Sequence, residues 1–154
     1  MSERRTLRLK READRRLRMG HLWVYANEIE GKLGQLGLQP GQLVDLETAQ
    51  GRALGVAYVN PNVLIAARLL GADSQGFDPQ RWLAGRIEAA LALRRRIGTL
   101  QYGRLIFGES DGLPGLVVDR YGPVLSVQIG TAGMEALRPQ IQALLQQVAG
   151  VEAM

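Results

Sequence analysis

V-D-L-E-T-A-Q-G-R-A-L-G-V-A-Y-V-N-P-N-V-L-I-A-A-R-L-L, residues 44–70, carries three short apolar runs separated by turn residues. V-D-L-E (44–47), G-R-A-L-G-V-A-Y-V (51–59) and V-L-I-A-A-R-L-L (63–70) are each the length of a strand, and glycine, asparagine and proline punctuate them. Short β-rich runs at this spacing predict a small barrel or sandwich of twisted strands. Upstream, L-Q-P-G (38–41) reads as a turn supplied by Pro40 and Gly41, ahead of a strand at Leu43. Further upstream, L-W-V-Y-A-N-E-I (22–29) supplies another strand, followed by glycines at 31, 34, 37 and 41. Residues 7–18 read as a short helix, with Leu7, Leu9, Ala13 and Leu17 giving a partial apolar stripe. This first unit runs from Leu7 to about Leu70.

The polar break G-A-D-S-Q-G (71–76) separates it from a second unit. Asp78 is an N-cap and Pro79 fits the first helical position, so a helix is predicted from there to Ile97, stopped by Gly98. Its apolar face is Leu83, Ile87, Ala90 and Leu91. Arg94, Arg95 and Arg96 are expected at a solvated C-terminal end, where the helix dipole favours cations. Strands follow at 104–107, 115–119 and 124–129, the last two joined through Tyr121, Gly122 and Pro123 as an antiparallel hairpin. A closing helix carries Leu137, Ile141, Leu144, Leu145 and Val148 on one face, and Pro139 either starts it near Arg138 or kinks it.

Composition removes several classes of function. The chain has 154 residues and no cysteine, which excludes disulfides, thiolate metal sites and cysteine nucleophiles within it. No run approaches a membrane span and the start is basic rather than apolar, so a cytoplasmic location and no membrane partner are expected. Net charge is +4, but residues 1–18 hold eight arginines and lysines against three acids, so the remainder carries −1. This local surplus suits phosphates, an anionic membrane or an acidic protein face.

Several stretches resemble sites. G-E-S-D-G-L-P-G-L-V-V-D-R (108–120) offers Glu109, Ser110 and Asp111, yet Asp111-Gly112 and Pro114-Gly115 are strong turn dipeptides, and the reading is a structural turn. Asp119 and Arg120 read as a turn-capping acid and an exposed base. V-L-S-V-Q-I-G-T-A-G-M (124–134) has two of the glycines of a cofactor loop and reads as a tight strand-to-helix connection. His21, the sole histidine, reads first as a structural hydrogen-bonding group and next as an RNA contact. Trp23 and Tyr25 share one side of their strand and either enter the core, the favoured account for Trp23, or offer bases a stacking platform. Lys10, Arg11, Arg15, Arg16 and Arg18 are the strongest functional residues, placed to neutralise phosphates.

Two passages carry a family resemblance. L-R-L-K-R-E-A-D-R-R-L-R-M-G-H-L-W-V-Y-A-N-E-I (7–29) and L-I-F-G-E-S-D-G-L-P-G-L-V-V-D-R-Y-G (105–122) are similar to stretches of the SAM-dependent large-subunit ribosomal RNA cytosine-5 methyltransferases. The resemblance covers essentially the whole chain and implies its N-terminal part: a β-barrel-like PUA RNA-binding domain (1–72), a linker (73–77) and the start of an incomplete central α/β domain with an antiparallel sheet (78–154). The catalytic Rossmann-like domain, with its SAM site and cysteines, is implied to lie outside this chain, so no catalytic, cofactor-binding or metal residue is assigned in it. Ribosomal RNA and the missing methyltransferase domain are the implied partners, with a homodimer left open. RNA contacts are expected from Lys10, Arg11, Arg15, Arg16, Arg18, His21 and Tyr25. A freestanding RNA-binding protein and a structural module binding protein through residues 99–130 are the alternatives. Two departures from the family stand out: Leu22 in place of proline, and Arg11-Glu12 in place of a more glycine-rich pair.

Overall fold

The computed structural model describes residues 4–72, 75–98 and 100–154. The chain falls into two compact units, Met1–Phe77 and Asp78–Met154. Asp73 and Ser74 of the expected linker, and Thr99 at the start of the 99–130 surface, lie outside the described residues.

The first unit is a five-stranded sheet of β1 (Arg5–Arg8), β2 (Trp23–Tyr25), β3 (Leu43–Glu47), β4 (Ala53–Val59) and β5 (Ile65–Gly71), in spatial order β1-β3-β4-β5-β2. Residues 44–70 form its centre: β3, β4 and β5 pair antiparallel in sequence order. Alternation places Val44, Leu46, Ala57, Val59 and Ala67 in one core with Leu7, Leu9, Val24 and Ile29.

The helix expected over residues 7–18 is corrected. Arg5–Arg8 is a strand parallel to β3, with Leu7 opposite Leu46, and only Arg15–Arg18 is helical (α1). The physical reason is the spacing of the two leucines: Leu7 and Leu9 are both buried, and two residues apart is the period of a strand, not of a helix. The sheet is not a closed barrel. Beyond β1 the chain makes a single antiparallel bridge, Leu9 to Ile29, flanked by bonds from Lys10 N to Glu28 O (2.8 Å) and Glu30 N to Arg8 O (2.9 Å).

In the second unit α2 (Pro79–Ile97) begins where Asp78 accepts hydrogen bonds from the amides of Gln80 (2.8 Å) and Arg81 (3.2 Å), and stops at Gly98 in the left-handed conformation. Its buried stripe, Leu83, Ile87, Ala90 and Leu91, packs within the unit that holds the antiparallel sheet of β6 (Tyr102–Phe107), β7 (Leu116–Tyr121) and β8 (Val124–Ile129). Tyr121 pairs with Val124, so Gly122 and Pro123 make the hairpin turn, with Gly122 at φ 62°. The closing helix is interrupted at Leu137 into α3 (Ala132–Ala136) and α4 (Arg138–Leu145), because Pro139 tolerates only the first turn of a helix. Ala153 then bridges in parallel to Val124.

Arg94 and Arg120, both expected on the surface, are inside, as is Asp119. Arg94, expected at a solvated helix end, is 9% exposed and holds Asp111 through two bonds of 2.6 and 2.8 Å, while its Nε donates to Arg104 O at 3.2 Å. Asp119 (8%) is buried and takes both bonds of Arg104, at 2.9 and 3.0 Å. Arg120 is 2% exposed. Arg120 looks solvated beside a turn residue, whereas strand pairing runs on through Tyr121 and carries it into the sheet, and Arg94 is drawn in by Asp111, a partner distant in the chain.

Asp111→Ala leaves Arg94 buried without its carboxylate and is expected to cost about 3 kcal/mol, with Asp111→Ala/Arg94→Met recovering a large part of it in urea denaturation. Gly55 sits at φ 134° where a Cβ would lie 2.0 Å from Gly71 O, backbone against backbone. Gly55→Ala is expected to lose the cooperative thermal transition of the first unit, read by circular dichroism. Arg104 holds the Asp119 carboxyl below its ordinary pKa, against the opposing effect of burial. A depressed folded-state pKa gives stability that is present above the unfolded value, about 3.9, and lost as pH falls through the lower one. The stability gap between the native chain and Asp119→Asn should therefore be level near neutrality and close below about pH 4.

Candidate nucleic-acid interface

The basic segment is organised by three buried side chains. Leu9 anchors the end of the first strand, Leu17 anchors α1, and Asp14 (9% exposed) lies between them. Asp14 occupies the N-cap position of α1 without capping it, because its carboxylate pairs instead with Arg18 at 2.6 Å. The turn from Lys10 to Ala13 closes through Ala13 N to Lys10 O (3.1 Å). It requires Glu12 at φ 66°, the sole non-glycine residue with positive φ among the described residues. That conformation costs an L-residue energy that glycine does not pay, which explains the glycine-rich pair of the resembled family at this point.

Arg16 is held rather than offered. Its guanidinium meets the Glu28 carboxylate at 2.5 Å and lies 4.9 Å from the centre of the Tyr25 ring. The second Glu28 oxygen accepts the Tyr25 amide at 2.8 Å, and the Glu28 hydrogen bond raises the Arg16 pKa. Tyr25 is half-buried beneath that cation, so its face toward Arg16 is already used. His21 is exposed, its amide bonded to Arg16 O at 3.1 Å.

Of the seven residues expected to contact RNA, the fold thus separates two groups. Lys10, Arg11 and Arg15 are exposed and have no carboxylate partner among the described residues, whereas Arg16 and Arg18 are ion-paired. A shallow groove lined by Arg11, Arg15 and Arg18 together with the acids Glu12 and Asp14 reaches Gln50, which arrives from the turn between β3 and β4. Sequence reasoning missed Gln50, because no local signal ties it to residues over thirty positions away. It also missed Glu28, which carries only the faint signal of an acid three residues after Tyr25. The core position favoured for Trp23 is corrected: Val24 is 1% exposed and Trp23, on the opposite side of the strand and level with Arg68, is 38% exposed.

The glycine connection after β8 is tied to the turn before β7: Gly130 N is bonded to Gly115 O at 2.8 Å, and the Thr131 hydroxyl donates to Pro114 O at 3.3 Å and accepts Met134 N at 3.3 Å. Among the described residues no group of three or more histidines and carboxylates is placed to hold a metal ion, and no helix is long and apolar enough to cross a membrane.

Residues 7–71 match the family of PUA-like domains. The first sheet is a PUA-like region. Similarity extends beyond this PUA-like region through most of the chain. A ribosomal RNA large subunit methyltransferase of Deinococcus radiodurans is 32% identical over 149 residues, covering 91% of this chain and 35% of its own length. The ribosomal RNA large subunit methyltransferase I of Shewanella denitrificans is 37% identical over 136 residues (86% and 34%), and that of Cronobacter sakazakii 34% over 130 residues (82% and 32%). The chain is homologous to these proteins and spans about a third of their length. Among solved structures, a candidate SAM-dependent methyltransferase from Streptococcus mutans superposes with a TM-score of 0.76 over 94% of this chain and 38% of that one, at 18% identity, which speaks to the fold.

Relieving the backbone at Glu12 should stabilise the PUA-like region. Glu12→Gly is expected to gain up to about 1 kcal/mol, the left-handed cost less the entropy of glycine, while Glu12→Gln gains none. Thermal denaturation of the two variants side by side measures it.

Proposed function

We propose that this chain is the RNA-binding and substrate-positioning part of a SAM-dependent 23S ribosomal RNA cytosine-C5 methyltransferase of the cytoplasm, and is not catalytic by itself. The observation that carries the reading is the reach of the similarity: it includes the second unit as well as the PUA-like region, in proteins named for methylation of large-subunit ribosomal RNA. The charge arrangement supports it. Lys10, Arg11 and Arg15 have their charge to spend on phosphates, Arg18 lines the same groove, and the Arg16–Glu28–Tyr25 cluster holds the segment that presents them. His21, exposed at the end of this segment, is a further contact.

Methyl transfer to C5 of cytosine needs a nucleophile that adds to the ring and a pocket that holds an extruded base beside SAM. With no cysteine in this chain, that nucleophile belongs to a further domain of the enzyme, where SAM supplies the methyl group. The residues here bind and orient the substrate.

Arg11→Ala/Arg15→Ala is expected to weaken binding to structured ribosomal RNA and lower the magnitude of the log K against log salt slope, by about 0.9 per lost duplex phosphate contact and about 0.7 on single strands, with the melting temperature unchanged. Arg16→Ala should lower the melting temperature as well. An unchanged salt slope in the double variant overturns the assignment, as does transfer of labelled methyl from SAM to RNA by the purified 154-residue chain.

A further inference from the structure

Arg120 occupies a place where the sheet calls for an apolar residue. On β7 the side facing the helices is Leu116, Val118, Arg120, and their partners across the hairpin are Ile129, Val127 and Leu125. The other two arginines that the second unit draws inward or across its sheet each have a carboxylate: Arg94 has Asp111 and Arg104 has Asp119. Arg120, 2% exposed, has none among the described residues. Its Nε donates to Gly122 O at 2.7 Å and its Nη2 to Ala149 O at 2.8 Å, neutral acceptors that satisfy hydrogen bonds without offsetting the charge. Nη1 makes no hydrogen bond among the described residues and is not sealed from solvent. Arg120 lines a cleft of about 370 Å³ whose walls include Ile87, Leu91, Leu144 and Val148. Glu88 and Arg95 also line it, but they pair with each other at 2.6 Å, so neither answers Arg120.

We propose that this cleft binds a small organic anion, a carboxylate carried on an apolar body. A buried guanidinium without a counter-charge is costly, and a carboxylate placed on its free N–H groups restores the balance through charge-assisted hydrogen bonds. The aliphatic walls bury the rest of the ligand, and the volume is that of a small-molecule site.

Benzoate is the probe, with acetate (charge without body), benzyl alcohol (body without charge) and inorganic phosphate as comparisons. Titrated into the 154-residue chain and followed by NMR, benzoate should shift the Arg120 Nε–H signal and the amides of Leu144 and Val148, and bind at least about tenfold more tightly than the other three. Gln147 is exposed at the edge of the same cleft, so Gln147→Glu places a carboxylate there without disturbing the fold and should weaken benzoate about tenfold or more. Arg120→Met, where it folds, should abolish binding. Benzoate that binds Gln147→Glu as well as the native chain overturns the proposal. So do phosphate or benzyl alcohol binding as tightly as benzoate, or shifts that gather at Arg11 and Arg15 instead.

Discussion

A guanidinium buried at the end of a helix tolerates few surroundings, and Arg94 fixes the ones this chain uses. Through Asp111 it binds the turn that follows β6, and through Arg104 O it binds β6 itself, while Asp111 also accepts the Phe107 amide at 2.6 Å. One ion pair therefore sets the position of helix, strand and turn together. Both charges are desolvated, so each is bound to the other: the pair adds little net stability over an apolar contact, but a structure that separates its members is heavily disfavoured. The glycines around Asp111 answer to their own backbone demands. Gly112 leaves the turn in the left-handed conformation, and Gly115 passes so close to Thr131 that a Cβ would lie 2.3 Å from its side chain.

Glu28 plays the corresponding part in the PUA-like region, by different means. It is partly exposed, so its contribution is geometric more than energetic. By receiving the Tyr25 amide on one oxygen and Arg16 on the other, it ties α1 to the end of β2 and settles which arginines remain available. A basic segment is thereby divided into a structural half and a free half, a division that charge counting does not reveal.

The parts of the fold written in local patterns were legible in the sequence. The strands of residues 44–70 show their alternation and their turns, and α2 shows its cap, its proline, its stripe and its terminal glycine. What was not legible depended on partners distant in the chain. Residues 5–8 became a strand because β3 lay alongside, and the strand-like spacing of Leu7 and Leu9 was masked by Ala13 and Leu17 further on, which suggested a helical stripe. Trp23 lost its core place to Val24 because the register with β5 decides which side of a three-residue strand faces inward. The turns within the glycine-rich stretch 108–115 were legible in its dipeptides, but Asp111's partner lies 17 residues upstream and carried no mark. At the candidate interface the cationic residues were evident, whereas their sorting into paired and unpaired was a property of Asp14 and Glu28.

The way the first sheet ends has a consequence for solubility. Open sheet edges invite pairing with other chains, and a protein that gathers on a polyanion meets its own copies at high local concentration. Here both edge strands are short, four residues in β1 and three in β2, and the outer one begins and ends in arginine, Arg5 and Arg8. Beyond these edges the chain turns back on itself at the bridge of Leu9 to Ile29. Arginine at both ends of β1 puts charge on this edge, and charge on an edge strand disfavours edge-to-edge pairing with another chain.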